Sequence, residues 1–406
     1  MLRRMPRDLG SSYSPLYFLA ALGAGGLAVS FFMWLLFWIP SPGHPIPVFA
    51  DIAAAFEQGG FLRRAAIAGA WTGIAAFALM HVRLLLWNLR EFRGFRRTPA
   101  YRQMLNDRTE IQLLAAPLAV AMTINVGFVV GAVFVPGLWS VVEWLFPAAM
   151  AGFLAVGVWA LWWLGDFWGR VLTESHCDCA ADNSLAQLLP SFALAMVGVG
   201  LAAPAAMSQL PGTAAVSLVL SSFFMVSAVL SGAVMLVLGI RAMLEQRANP
   251  VSAPSLWLVV PILTVIGITL VRQTHGFHVH FGSEAGGIET LGMLSYLLVT
   301  QIAFGLLGWV VMRRYGYFKR FIFGPENSAG SYTLVCPGVA LAVMLHFFTN
   351  VGLVKHGALA PFSPVYWVLT GVAIAIQAAT ILLVLRLNAK HFRAAGVQGP
   401  SAVPAR

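Results

Sequence analysis

Long apolar runs alternate with short polar segments along nearly the whole chain. A helix needs about 20 mostly apolar residues to cross the hydrocarbon core of a membrane. Ten runs meet that length, at residues 15–40, 64–88, 111–135, 138–164, 185–207, 213–240, 255–274, 286–312, 331–354 and 364–388. The pattern predicts an all-α integral membrane protein with ten transmembrane helices.

The same pattern divides the chain into three parts. We expect residues 1–14 to form a cytoplasmic N-terminus, residues 15–388 the transmembrane domain, and residues 389–406 a cytoplasmic tail. The first apolar run is long enough to span and lacks a small-residue cleavage site, so we interpret it as a helix and not as a signal peptide. No segment remains for a soluble domain.

Composition excludes most soluble classes. Apolar residues make up 59% of the chain and charged residues 10%, against about 45–50% and about 25% in an average soluble domain. So few charges could not cover a soluble surface of this size. A soluble enzyme, a disordered chain and a nucleic-acid-binding protein are therefore excluded, and we expect no nucleic acid among the partners.

The positive charges are asymmetric. If the N-terminus is cytoplasmic, all but four of the 25 Lys and Arg residues fall on the cytoplasmic side; the exceptions are Arg63, Arg64, Arg272 and Lys355. Cytoplasmic loops of membrane proteins carry such an excess. We therefore predict a multi-pass protein of the inner (plasma) membrane with both termini in the cytoplasm.

A proline recurs near the start of every odd-numbered helix. These prolines are Pro15, Pro117, Pro190, Pro261 and Pro337, each followed by small and apolar residues. A proline within a helix removes a backbone hydrogen bond and kinks it. The repeat predicts five helical hairpins in a quasi-fivefold arrangement around a central pore, with the kinked helices facing the axis. The alternative is that proline is simply common in membrane helices.

Ten spans, cytoplasmic termini and five hairpins with proline-bearing odd helices resemble the slow-type anion channel and TehA family, also called the tellurite-resistance/dicarboxylate transporter family. The start SSYSPLYFLAALGAGGLAVSFFMWLLF is also similar to the TsoY branch, which includes selenoproteins. The resemblance covers residues 15–388. It implies an anion pathway through each protomer, occluded by a phenylalanine of the ninth helix, in a homotrimer.

Gate residues follow from the repeat register and the resemblance. Eleven residues beyond the repeat prolines lie Gly26, Phe128, Leu201, Arg272 and Phe348. A narrow apolar ring blocks ions by excluding water, so Phe128 and Phe348 are candidates for a pore gate. Phe347 is the alternative to Phe348 if the register differs by one residue. Each phenylalanine could instead simply pack a neighbouring helix.

Polar groups within the spans suggest the anion pathway. An arginine at membrane depth is costly unless it faces a cavity or a partner, and anion pores use Arg or Lys in this way. Arg272 is the chief candidate, although both it and Lys355 could instead extend to the membrane interface. Uncharged donors suit an anion that must also leave, and the candidates are Thr123, Asn125, Thr349 and Asn350. For Gln301 and Gln377 we favour hydrogen bonding between helices.

Two clusters raise the possibility of metal or redox chemistry. His275, His278 and His280 lie in what the pattern predicts to be an outer loop, and imidazole ligates zinc and copper; their alternative role is to tune anion entry. His176, Cys177 and Cys179 lie between spans four and five, where a Cys-x-Cys pair could act in redox chemistry. Neither cluster supplies a complete ligand set, so no cofactor is predicted.

Together these features favour a membrane anion channel or facilitator for an oxyanion, a halide or a dicarboxylate, and not an enzyme. Its expected partners are small inorganic or organic anions and membrane lipids. One alternative is a membrane redox or haem-binding protein that uses the buried His81 and His346 or the Cys-x-Cys segment. Another is an accessory membrane subunit that does not conduct.

The orientation can be tested directly. A cysteine at Gly43 should react with a membrane-impermeant thiol reagent on intact cells, because the first outer loop contains it. A cysteine at Gly94 should react only after permeabilisation, since the arginine-rich segment around it lies inside. The reverse pattern would overturn the predicted orientation.

Overall fold

The computed structural model describes residues 5–105, 107–173, 183–282 and 287–392, and these ranges contain helices but no β-strand. Ten helices are long and apolar enough to cross a membrane, which confirms the ten predicted spans. Spans 1 to 10 run over Pro15–Trp38, Phe61–Phe95, Thr109–Phe134, Leu138–Thr173, Leu185–Met207, Pro211–Gln246, Ala253–Phe281, Ile288–Arg314, Ala329–Val354 and Pro364–His391.

Odd-numbered and even-numbered spans differ in burial. In the most apolar stretch of each odd span at least 61% of the residues are buried, whereas no even span exceeds 39%. The even spans expose large apolar side chains such as Leu79, Trp162 and Leu230. Since soluble proteins rarely present such continuous apolar surface, these faces suit lipid, and the odd spans form the interior.

The five odd spans pack in a closed sequence. Each contacts the next odd span, and span 9 contacts span 1, so the order of contacts returns to its starting point. Each odd span also packs against the even span that follows it, most extensively in the pairs 1 with 2, 5 with 6 and 9 with 10. The chain is therefore built from hairpins that contribute one inner and one outer helix each.

Every odd span begins with a 3-10 helix. These segments are Pro15–Tyr17, Arg108–Leu114, Leu185–Leu188, Ala253–Leu258 and Ala329–Leu334. They contact one another in the same closed order as the spans. Ser14, Ser184 and Ser328 each accept a hydrogen bond from the backbone N–H two residues on, which satisfies donors that a helix start leaves unpaired. We call this side of the molecule the start face and the opposite side the exit face.

The repeat prolines lie where 3-10 geometry changes to α-helix. Pro117, Pro261 and Pro337 are the third residues of their α-helices, and Pro190 is the second. Pro15 instead begins its 3-10 helix. A first turn tolerates proline because its N–H groups lack helical partners anyway. The prolines thus lie at the start of each inner helix and do not kink its interior. Pro15 differs from the other four because it precedes its α-helix, Phe18–Trp38.

The arginine-rich segment at the start face packs its aromatic side chains inward. Phe92 and Phe95 are buried and contact Tyr101, while Arg93, Arg96 and Arg97 are exposed. The N-terminal residues lie against this segment, where the buried Glu91 accepts hydrogen bonds from the backbone N–H groups of Asp8 and Leu9. In this segment the aromatic side chains therefore pack against the protein while the arginines face outward.

The exit face differs from prediction in two loops. The loop between spans 1 and 2 contains a short helix, Phe49–Gln58, whose Asp51 carboxylate accepts a hydrogen bond from the N–H of Val48. The predicted loop after span 7 is also helical, because its α-helix continues from Val259 to Phe281. These two helical segments are too short or too polar for a helical pattern of apolar residues to be recognised in the sequence.

Glycine permits the close contact between spans 1 and 9, which completes the closed arrangement of the odd spans. A Cβ at Gly23 of span 1 would overlap the Val335 side chain of span 9. Overpacking a close contact costs about 1–3 kcal/mol. We therefore expect Gly23→Ala to lower the melting temperature of the purified protein.

Gly127→Ala is the matched control, because a Cβ at Gly127 would meet no atom within 4 Å and alanine favours a helix over glycine by about 1 kcal/mol. That variant should melt at or above the wild-type temperature. Equal melting of Gly23→Ala and wild type would show that the contact between spans 1 and 9 is looser than described.

Candidate functional site: a cavity shared by the five inner spans

A cavity of about 440 Å³ lies between the odd-numbered spans, and all five contribute side chains to it. Its walls are completed by two further elements. Span 4 contributes Phe146, Ala149 and Phe153, and the loop between spans 1 and 2 contributes Pro45 and Ile46. We call it the shared cavity. Representative residues of spans 1, 3, 5, 7 and 9 are Gly26, Phe128, Met196, Arg272 and Phe347.

The shared cavity extends along much of the inner spans. On span 7 its lining runs from Pro261 to His275, which is roughly 21 Å at 1.5 Å per helical residue. The hydrocarbon core of a membrane is about 30 Å thick. The cavity therefore occupies most of the depth that a membrane path would need.

Arg272 supplies a cationic side chain to this apolar cavity. One guanidinium nitrogen donates a hydrogen bond of 2.6 Å to the carbonyl oxygen of Val199 in span 5. Within the described ranges no carboxylate lies within 4 Å of the guanidinium. The carbonyl fixes the position of the charge but does not neutralise it, so the group remains available to an anion.

The neighbour of Arg272 holds this part of span 7 in place, a role that the sequence did not suggest. Gln273 is buried, and its amide donates hydrogen bonds of 2.8 Å to the Ser221 hydroxyl and 3.1 Å to the Ser222 hydroxyl. Both serines belong to span 6. Gln273 thus anchors this turn of the helix to span 6, while Arg272, about 100° away around the helix, points to span 5 and the shared cavity.

The uncharged candidates of span 3 separate into two environments. Asn125 lines the shared cavity, and its amide makes only long contacts, 3.4 Å to the Ala121 carbonyl and 3.6 Å to the Met196 sulfur. Thr123 is absent from the lining, and its hydroxyl is 2.9 Å from His81 Nε2. Asn125 is therefore a possible ligand group, whereas Thr123 positions His81.

The two adjacent phenylalanines of span 9 point to different places. Phe347 lines the shared cavity and packs edge-on against Phe37, with 5.6 Å between the ring centroids. Phe348 packs with Leu294, Leu298 and Met344 in a separate apolar cluster toward span 8. Of these two gate candidates, Phe347 therefore lines the shared cavity and Phe348 does not.

Phe128, the other gate candidate, also lines the shared cavity. Its ring stacks on Phe146 of span 4, with centroids 5.9 Å apart and an angle of 20° between the planes. Phe128 and Phe347 do not form a ring pair with each other in the described part of the chain. They narrow the cavity from separate helices.

Span 9 ends in a π-helix, Phe348–Val354, a geometry that occurs frequently at functional sites. Thr349 and Asn350 belong to it but are not among the lining residues of the shared cavity. Asn350 accepts a hydrogen bond of 3.1 Å from the Tyr366 hydroxyl and donates one of 2.9 Å to the His346 carbonyl. Asn350 therefore joins spans 9 and 10, and Thr349 is buried beside it.

The predicted structural role of the two even-span glutamines is confirmed. Gln301 donates hydrogen bonds to the Val260 carbonyl and the Thr264 hydroxyl of span 7. Gln377 accepts one from Trp34 and donates one to Ser30, both in span 1. Each glutamine ties an outer span to an inner span.

The histidines at the exit face form a charged neighbourhood. His275 lines the mouth of the shared cavity, and its electrostatic neighbours are Lys355, His278 and His280. Within the described ranges, no group of three or more His, Cys, Asp or Glu side chains is arranged to hold a metal ion. The other cluster, His176, Cys177 and Cys179, lies outside the described residues.

Haem ligation requires free imidazole nitrogens on facing helices. Both ring nitrogens of His81 are engaged, one 2.8 Å from the Ala21 carbonyl and the other 2.9 Å from the Thr123 hydroxyl. His346 is buried against Phe37 and Trp38, and neither of its ring nitrogens has a hydrogen-bond partner among the described residues. Because His81 is committed elsewhere, the two do not form a ligand pair.

Comparison of the chain with models of known protein families, with curated proteins and with solved structures finds no match. Function must therefore be argued from the shared cavity and its charge.

Proposed function

We propose that the protein is a membrane anion channel or facilitator whose path is the shared cavity. The observation that carries this proposal is Arg272, a guanidinium with no carboxylate within 4 Å in the described ranges, on the wall of a cavity lined by all five inner spans. A charge at this depth is costly unless it serves a partner. A transported anion is such a partner.

The proposed path follows the axis of a quasi-fivefold bundle. The closed order of contacts among the odd spans supports this arrangement, as does the equivalent closed order of their 3-10 starts. An anion would enter from the exit face past His275 and Lys355, where positive charge raises the local anion concentration. It would then reach Arg272 and the apolar constriction formed by Phe347 and Phe128.

The orientation, the membrane and the assembly belong to the same proposal. The excess of Lys and Arg supports a cytoplasmic start face and cytoplasmic termini, in an inner or plasma membrane. Gly43 has a φ of 83°, so Ser41 is a less strained site for the outer labelling cysteine. Membership of the slow-type anion channel and TehA family, its TsoY branch and a homotrimer are proposed from the sequence resemblance alone. We propose transport and not catalysis.

Anion flux into liposomes tests the function. Wild-type protein should pass at least one of chloride, nitrate, sulfite, malate and octanesulfonate faster than protein-free liposomes do. Arg272→Gln should lower that flux by about tenfold, the equivalent of losing roughly 1.4 kcal/mol of favourable contact. The loss should be larger at low salt, since screening weakens charge effects.

Arg241→Gln is the matched control, because Arg241 is exposed on span 6 and pairs with Glu245. It should leave flux unchanged. Wild-type flux no higher than in protein-free liposomes would refute the channel and favour a non-conducting accessory subunit. Normal flux in folded Arg272→Gln would remove Arg272 from the path.

Truncation of the gate should increase flux. Phe347→Ala widens the constriction and admits water, which lowers the cost of stripping an anion of its hydration. Phe348→Ala instead removes a partly buried ring from the apolar cluster toward span 8, which lowers stability without widening the shared cavity. We therefore expect higher flux per folded protein for Phe347→Ala, and lower yield without higher flux for Phe348→Ala. Higher flux only in Phe348→Ala would restore the original register.

A further inference from the structure

We propose that the shared cavity binds an amphiphilic organic monoanion, with a carboxylate or sulfonate head at Arg272 and an apolar body along the cavity walls. This inference deepens the proposed function and rests on it, because it names the class of anion. Three properties of the cavity carry it: the number of charges, the character of the walls, and the volume.

The charge of the cavity matches one negative charge. Arg272 donates one guanidinium N–H to Val199, and a guanidinium has five such donors. The remaining donors can hold a carboxylate in two parallel hydrogen bonds. His275 also lines the cavity, and among the described residues no Asp, Glu, Lys or second Arg does so. A dianion would bring a second charge that has no cation to offset it in a poorly hydrated space.

The walls match an apolar body. Leu, Val, Ile, Phe and Met side chains provide most of the lining, including four methionines, Met33, Met122, Met196 and Met207. Methionine adapts its shape to irregular apolar partners. Thr264 already contacts the Val260 and Ala340 carbonyls and accepts a hydrogen bond from Gln301. Asn125 and Arg272 are then the main polar groups that can meet a ligand inside the cavity.

The volume also exceeds what a small inorganic anion needs. The shared cavity measures about 440 Å³, and pockets for organic ligands measure roughly 300–1,000 Å³. One water occupies about 30 Å³ in the liquid, and a halide or nitrate is of comparable size. Hydrating such an ion here would require many ordered waters, but water in a cavity needs two to four polar partners each. An organic body fills the same volume without them.

Binding of radiolabelled octanoate to the protein in lipid nanodiscs tests the proposal, with empty nanodiscs measured in parallel to subtract partition into lipid. Unlabelled butanoate, hexanoate and octanoate should compete with affinities that rise by about fourfold for each added methylene. Octanamide, which has the same body without the charge, should compete at least tenfold more weakly than octanoate. Succinate and nitrate should compete weakly as well.

Two variants separate the head from the body. Arg272→Gln should weaken octanoate binding at least tenfold, whereas Arg241→Gln should not change it. Ala206→Phe places a ring into the cavity wall, so it should weaken octanoate much more than butanoate. If Arg272→Gln fails to fold, the chain-length series on the wild-type protein and the Ala206→Phe variant still decide the outcome.

The two possible sources of such a ligand are the aqueous phase and the bilayer. Octanoate added in buffer tests the aqueous phase as the source, and palmitate dissolved in the nanodisc lipid tests the bilayer. Competition by either compound supports the proposed class of anion and identifies the phase that supplies it. The inference would be overturned by an affinity that does not depend on chain length, or by nitrate and succinate competing as well as octanoate. In that case flux in liposomes would still support an anion path. Absence of both binding and flux would overturn the inference and the proposed function together.

Discussion

The close approach of span 1 to span 9 determines the rest of this architecture. Between helices in a membrane there is little hydrophobic driving force, so association depends on tight packing of small residues and on hydrogen bonds. Gly23 and Gly26 of span 1 face Val335 and Val339 of span 9. A Cβ at Gly23 would overlap the Val335 side chain, so a larger residue there strains this contact. Without the contact between spans 1 and 9 the inner spans would form an open row, and no cavity would be shared by all five.

Closure of the inner spans gives Arg272 its environment. The guanidinium is fixed from span 5 by the Val199 carbonyl, and Gln273 anchors the adjacent turn to span 6. Apolar side chains from the other inner spans then surround the charge. In such surroundings a charge interacts more strongly than in water. Under the proposed function, one positive group in an apolar cavity would select ligands by both charge and hydration. This connects the packing of glycines to the proposed selection of an anion.

Apolar periodicity was sufficient to predict the ten spans, because crossing a membrane requires a long apolar helix that few other structures need. It was insufficient for the side-chain register. Of the five positions eleven residues beyond the repeat prolines, Gly26, Phe128 and Arg272 line the shared cavity, whereas Leu201 and Phe348 do not. Phe347 and Phe348 differ by one residue, a rotation of roughly 100° on a helix, and only the packing of spans 8 and 9 distinguishes them.

Other site features had no signal in the sequence at all. The helical continuation through His275 and His278 followed a polar stretch that suggested a loop. The hydrogen bond of His81 to the Ala21 carbonyl depends on how spans 1 and 2 meet.

Arg272, in contrast, could be identified from the sequence, because a charged residue within an apolar span is rare. Its partner Val199 is a backbone contact, and residue type does not encode such contacts.

Disulfide cross-linking between spans 1 and 9 tests the closed inner arrangement most directly. A Cβ built at Gly26 lies 3.6 Å from the Cβ of Val339, within the separation that a disulfide requires, about 3.5–4.5 Å. In a background without the native cysteines, Gly26→Cys with Val339→Cys should cross-link readily under mild oxidation. Gly26→Cys with Gly127→Cys should not. Failure of the first pair in a folded protein, or equal cross-linking of both pairs, would contradict the closed arrangement and the cavity that depends on it.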